Sequence, residues 1–176
     1  EKDLNSGKVI GYEKLLEPKT WLNIQEGRYH LSTVIISRNK TCFAFAYVTT
    51  PLLEIFDYQK RELISALVPH QQLPKYHAKI IDGVPQVGYF RDSLSEFSDV
   101  VITGKYIYAL YGGRKNDDSE EFKPSIVYVF DYKLNPVKIY NLDTRISSMS
   151  IYKSILYALK RSNIRGGGGE IIVYDL

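Results

Sequence analysis

Cys42-Phe-Ala-Phe-Ala-Tyr-Val48, followed by Leu53-Glu-Ile-Phe-Asp57, is one copy of a pattern that occurs three times. The second copy is Tyr106-Ile-Tyr-Ala-Leu110 with Val127-Tyr-Val-Phe-Asp131. The third is Ile155-Leu-Tyr-Ala-Leu159 with Ile171-Ile-Val-Tyr-Asp175. Each reads as a strand with an alanine in one fixed slot (Ala46, Ala109, Ala158), then a strand ending in an aromatic residue and an aspartate. Self-similarity at a spacing of tens of residues marks a repeat architecture, whose units bury their faces against one another.

Around these strands the pattern is β throughout. In Thr41–Val48 the alternation puts Phe43, Phe45 and Tyr47 on one face and Cys42, Ala44 and Ala46 on the other. Ile126–Asp131 and Ile171–Asp175 are continuous apolar runs, the mark of strands buried on both faces. Turn residues at Arg38-Asn39-Lys40, Thr103-Gly104-Lys105, Tyr152-Lys153-Ser154 and Leu134-Asn135-Pro136 divide each unit into strands A, B, C and D. The third unit stops after strand C. The expected class is therefore all-β, a β-propeller of three to four four-stranded antiparallel blades. A β-sandwich is the competing reading, disfavoured by the repeated B–C pattern.

The blade units are expected at about residues 30–68, 98–142 and 146–176. Residues 1–28 read as the tail of a preceding blade, with Trp21 as a packing residue. Residues 69–98 read as a long connection that holds a short extra element. Asp57 to Asp131 is 74 residues and Asp131 to Asp175 is 44; the shorter interval fits one blade. Propellers close with about 4–8 blades, so 176 residues are expected to cover only the C-terminal half or so of a full ring.

The composition is that of a folded domain: 44% hydrophobic, 24% charged, and 15 tyrosines that suit half-buried pleated surfaces. A net charge of +3 with scattered Lys and Arg predicts no nucleic-acid partner. One cysteine, Cys42, excludes an internal disulfide, and no apolar run is long enough for a transmembrane helix.

Asp99-Val-Val-Ile-Thr-Gly-Lys-Tyr-Ile-Tyr-Ala-Leu-Tyr-Gly-Gly-Arg114 resembles a segment of the TolB-like six-bladed propeller family. Ile126–Tyr132, Asn135-Pro-Val-Lys138, Ile146-Ser-Ser148 and Leu52–Tyr58 continue the resemblance, which covers about residues 30–176. It implies a ring near six blades at the periplasm or cell surface of a Gram-negative bacterium, outer-membrane associated. It also implies a lipid anchor on an N-terminal part that this sequence does not include. The family carries no agreed activity.

Catalytic signals are absent from the sequence. There is no Gly-x-Ser-x-Gly elbow, and Cys42 lies mid-strand away from any spaced histidine constellation. His70, His77 and Asp82 lack a zinc spacing. Asp117-Asp-Ser-Glu-Glu121 lacks the alternation and turn glycine of a calcium loop and reads as a solvated tip. Gly166–Gly169 precedes no helix, so it cradles no phosphate. The Asn39-Lys40-Thr41 sequon is short enough to arise by chance. No catalytic residue, metal or cofactor is therefore assigned.

Topology gives the binding expectation. In a propeller the B–C loops and blade-to-blade connections share one face. Here they carry Tyr89, Phe90, Arg91, Phe97, Arg114, Arg145, Arg161 and Arg165. Arginines among aromatic rings fork onto carboxylates or phosphates and stack on rings. The expected ligand site is Tyr89, Arg91, Phe97, Arg114, Arg145 and Arg161, for a protein or a glycan or other anionic ligand. The opposite face has its own bases, Arg38, Lys40, Lys60, Arg61, Lys105 and Lys133. Two readings compete with this binding or scaffold role. One is a lyase- or glycosidase-type enzyme using Asp92, Glu96 or Asp99; the other is a structural subunit completed by a second chain.

Overall fold

The computed structural model describes residues 34–67, 76–82, 84–89, 94–115, 126–161 and 168–176. These residues form thirteen strands and no helix. The expected tail over 1–28, together with Trp21, His70, Phe90, Arg91, Asp92, Asp117–Glu121 and Arg165, lies outside the described residues.

The strands group by sequence neighbourhood. β1 (Val34–Arg38), β2 (Cys42–Tyr47), β3 (Leu52–Asp57) and β4 (Glu62–Leu67) form one antiparallel meander. β5 (Tyr76–Ile81) and β6 (Val84–Tyr89) form a separate hairpin inside the 69–98 stretch. β7 (Leu94–Ile102), β8 (Ile107–Lys115), β9 (Ile126–Phe130) and β10 (Pro136–Asn141) form the second meander. β11 (Ser148–Tyr152), β12 (Ile155–Arg161) and β13 (Gly169–Asp175) form a third sheet of three strands. These are three propeller blades, with β7 against β1 and β2 on one side and β11 on the other.

The repeated aspartate is a turn device. Asp57 Oδ1 accepts the backbone N–H groups of Gln59 and Lys60, each at 3.0 Å. Asp131 Oδ1 accepts those of Lys133 (2.8 Å) and Asn135 (2.9 Å), and its Oδ2 takes the Asn135 amide at 2.9 Å. Each carboxylate thus satisfies donors that a tight C–D turn leaves unpaired. In the second turn Leu134 is accordingly pushed into left-handed backbone at φ 61°.

The alanine slot is not the same position in all three blades. Asp57, Asp131 and Asp175 define equivalent register points, opposite Cys42 and Ile155 in the first and third blades. In the second, Phe130 pairs with Ile107, which sets Tyr106 opposite Asp131. Ala109 and Ala158 then lie three residues beyond that point, and Ala46 lies four. One residue flips a strand side chain to the other face. Ala109 and Ala158 face the preceding blade, whereas Ala46 faces the following one. All three are 0% exposed.

This phase explains the core. Cys42, Ala44, Ala46, Leu53 and Ile55 of the first blade meet Phe97, Val100, Ile102, Ile107, Ala109, Tyr111 and Phe130 of the second. From the other face of the second blade, Tyr108, Leu110, Val127 and Val129 meet Ile146, Met149, Leu156 and Ala158. The middle blade is therefore buried on both faces, as the continuous apolar run of β9 requires. The far face of the third blade is open, with Ile171 71% and Val173 55% exposed.

Polar bonds fix the blades in register. Ser37 Oγ accepts from Ile102 N at 3.0 Å, and Glu96 N donates to the Val48 carbonyl at 2.7 Å. Asn39 uses Oδ1 for the N–H groups of Thr41 and Cys42, each at 2.9 Å, and its amide for Tyr132 Oη at 2.5 Å. Tyr132 in turn donates to the Thr103 carbonyl. Ala109 sits where the first two sheets approach each other. Replacing it with leucine should overpack that seam and lower unfolding free energy by about 1–3 kcal/mol. Urea denaturation checks this, and unchanged stability would contradict the assigned face.

Candidate functional site

The meander topology divides the ends of the blades into two faces. The loop face holds the B–C loops and blade-to-blade connections, and the turn face holds the A–B and C–D turns.

On the loop face, Tyr89 ends β6, Arg114 lies near the end of β8, Arg161 ends β12, and Arg145 lies exposed between β10 and β11. The backbone thus brings Arg114, Arg145 and Arg161 to one face. Phe97 differs from the others. Strand β7 starts at Leu94, so Phe97 is inside a strand rather than a connection. It is 0% exposed and meets Tyr111 edge-on at 5.9 Å between ring centroids. Phe97 is a core side chain that supports this face from beneath.

The described carboxylates near this face hold the blades. Asp99 Oδ2 accepts from Ser148 Oγ at 2.6 Å and Met149 N at 2.7 Å, tying β7 to β11. Its Oδ1 accepts from Val100 N at 2.8 Å. Buried Glu54 accepts from Tyr47 Oη at 2.7 Å and Ser65 Oγ at 2.9 Å. Glu96 is 2% exposed. Burial pushes its pKa up to about 7, against the opposing effect of a hydrogen bond to Tyr111. Thr50 Oγ1 and Ser98 Oγ are buried with no hydrogen-bond partner among the described residues. Among those residues no group of three or more His, Cys, Asp or Glu is placed to hold a metal.

The turn face carries a cleft that sequence reading passed over. It lies between the second and third blades and encloses about 710 Å³. Ile102, Val129, Ile151 and Leu176 give it apolar walls; Lys105, Lys138 and Lys153 and the rings of Tyr106, Tyr108, Tyr140 and Tyr152 complete it. Among the described residues no Asp or Glu side chain lines it. Each lysine is matched to a ring. Lys105 Nζ lies 4.9 Å from the Tyr106 centroid, Lys138 Nζ 4.2 Å from Tyr140, and Lys153 Nζ 5.3 Å from Tyr152. Lys138 also donates to Tyr140 Oη at 2.9 Å. Burial, then the neighbouring Tyr140 and Tyr106, raises the Tyr108 pKa, so its phenol stays a donor.

The repeat explains why this gap is wider than its counterpart between the first two blades. Between the first two blades, Asn39 and Tyr132 latch the equivalent edge. Tyr58 and Leu176 occupy equivalent positions, since Tyr58 N donates to the Thr41 carbonyl and Leu176 N to the Ser154 carbonyl. The latch position of the third blade is thus Leu176, which has no hydroxyl to offer Thr103. Among the bases that the sequence assigns to this face, only Lys105 lines the cleft. The sequence signal for the others is a lysine close to a tyrosine, Lys138-Ile-Tyr140 within β10 and Tyr152-Lys153 at the A–B turn.

Glu96 gives a pH-dependent outcome. Its proton is held more tightly in the folded chain than at the ordinary value of 4.5. Its contribution to stability is therefore fully present below that value and is lost as pH rises through about 7. The loss is on the order of 3 kcal/mol. Glu96→Gln should flatten the change in stability between pH 5 and pH 8 in urea titrations. An undiminished slope in the variant would show that Glu96 is not its source.

Comparison with known proteins agrees with the architecture. The family model described as TolB-like 6-blade propeller-like matches residues 21–154. No curated protein sequence matches the chain. Among solved structures the chain is similar to BamB from Moraxella catarrhalis at 12% identity and a TM-score of 0.29. That match covers 72% of this chain and 39% of that one, so the chain spans about two fifths of BamB's length. With more than half its residues inside the family model and its strands laid out as blades, the chain belongs to the TolB-like six-bladed propeller family.

Proposed function

We propose that the chain is part of a non-catalytic binding or scaffold propeller of the cell envelope, recognising a protein or an anionic glycan on its loop face. The setting, periplasm or cell surface of a Gram-negative cell, is the one the family resemblance implies. Among the described residues, no helix is long and apolar enough to cross a membrane.

The observation that carries the reading is how the acid side chains are used. An enzyme of lyase or glycosidase type needs carboxyl groups that face a substrate. Asp99 instead ties β7 to β11, and Glu54 is engaged by Tyr47 and Ser65. Glu96 is buried with Tyr111 beside it. These described carboxyl groups are thus engaged within and between the blades, and the backbone places Arg114, Arg145 and Arg161 on the loop face. Tyr89, Arg91, Arg114, Arg145 and Arg161 would supply the contacts, with Phe97 as the support below. Guanidinium groups suit this role because their planar forks meet carboxylates and phosphates two bonds at a time.

The test is binding of the full chain to a panel of acidic and neutral oligosaccharides. Arg114→Ser/Arg145→Ser/Arg161→Ser should weaken acidic glycan binding at least about tenfold, roughly one guanidinium contact's worth of free energy. Equal binding by the triple variant would remove the loop face from the reading.

A further inference from the structure

We infer that the cleft between the second and third blades is a second ligand site, on the turn face, for an acidic sugar. It is separate from the loop-face surface, because A–B and C–D turns lie at the opposite ends of the strands. Its volume of about 710 Å³ falls in the range of small-ligand sites, about 300–1,000 Å³.

Charge selects an anion. Among the described residues three lysines line the cleft, and no acidic side chain opposes them. An ammonium group is a compact point charge, so it donates to carboxylate or phosphate oxygens without demanding one planar geometry. The rings select the rest of the ligand. Tyrosine presents an apolar face for the C–H side of a sugar ring and a hydroxyl for its polar edge. Tyr152 is 62% exposed beside Lys153, where a ligand reaches it directly. Lys138 and Tyr140 already share a hydrogen bond, so one side chain is held ready by the other. The apolar walls at Ile102, Val129 and Ile151 favour a ligand that leaves one flank unsolvated. Carboxylated and phosphorylated sugars share the required chemistry, a ring carrying an anionic group.

The architecture keeps the gap open without a ligand. At the neighbouring seam Tyr132 hydrogen-bonds Asn39 and leaves a smaller hollow of about 440 Å³, whereas Leu176 has no hydroxyl to span the gap.

Calorimetric titration of the full chain with trigalacturonate, a hexose 6-phosphate, a neutral trisaccharide and triglutamate tests the assignment. The expected result is binding of one or both acidic sugars, weakening with added salt, with no binding of the neutral trisaccharide. The two acidic probes separate a carboxylated from a phosphorylated ligand. Lys138→Ser/Lys153→Ser should reduce that affinity at least about tenfold, and Tyr152→Ala about fivefold or more, whereas Lys60→Ser, at the C–D turn of the first blade and outside the cleft, should leave it unchanged. These positions are exposed, and circular dichroism verifies that the variants fold. Tighter binding of triglutamate than of either sugar would overturn the sugar assignment. Acidic-sugar binding lost with Arg145→Ser and retained in the lysine variant would overturn the turn-face site and leave the loop-face reading standing. Absence of binding by any acidic probe would overturn the site outright.

Discussion

A blade of this protein cannot satisfy its own faces. Its sheet is one layer thick, and its central strands carry apolar side chains on both sides. Hydrophobic burial at about 25 cal/mol per Å² is collected only when a neighbouring sheet lies against it. Strand β7 is where the described blades meet, since it touches β1 and β2 on one side and β11 on the other. The Asp99 carboxylate on that strand fixes the second contact through Ser148 and Met149. Stability in such an array is set by interfaces between units more than by any unit alone.

The polar groups within these seams do a different job from the apolar ones. Apolar packing tolerates sliding; a buried carboxyl with a defined donor does not. Tyr47 meets Glu54 in the first blade, and Tyr111 meets Glu96 in the second. At the equivalent point of the third blade, Lys160 pairs with exposed Glu170 at 3.0 Å. The acid comes from strand C in the first and third blades and from strand A in the second, and its setting passes from interior to solvent at Glu170.

Much of the fold was legible because its causes are local. The turn aspartates, the A–B turn residues and the doubly apolar run of β9 each leave a mark within a few positions, whereas the similar run in β13 has one face exposed at Ile171 and Val173. The hairpin β5–β6 was foreshadowed only as an extra element, since its flanks carry no copy of the repeat. The phase of Ala46 was not legible, because a one-residue offset leaves the local pattern intact and is fixed only by pairing Cys42 with Asp57. The start of β7 was missed for a related reason. Its register shifts around Phe97 break the alternation that would have announced a strand. The turn-face cleft was missed because its lysines come from three separate turns and strands, and only the closeness of two blades makes them neighbours.

The offset of Ala46 bears on how such rings diversify. Two small residues, one from each blade, meet at the first seam, whereas the second sets Leu110 and Ala158 on opposing sheets. Neighbouring blades are therefore not interchangeable parts. A consensus blade built by stacking the three copies on their alanines would turn the inward set of the first copy outward. Stacked on their aspartates the copies share one phase, and what differs from seam to seam is the size of the opposed side chains. The repeat is thus a family of fitted pairs, and its unit of inheritance is the seam rather than the blade.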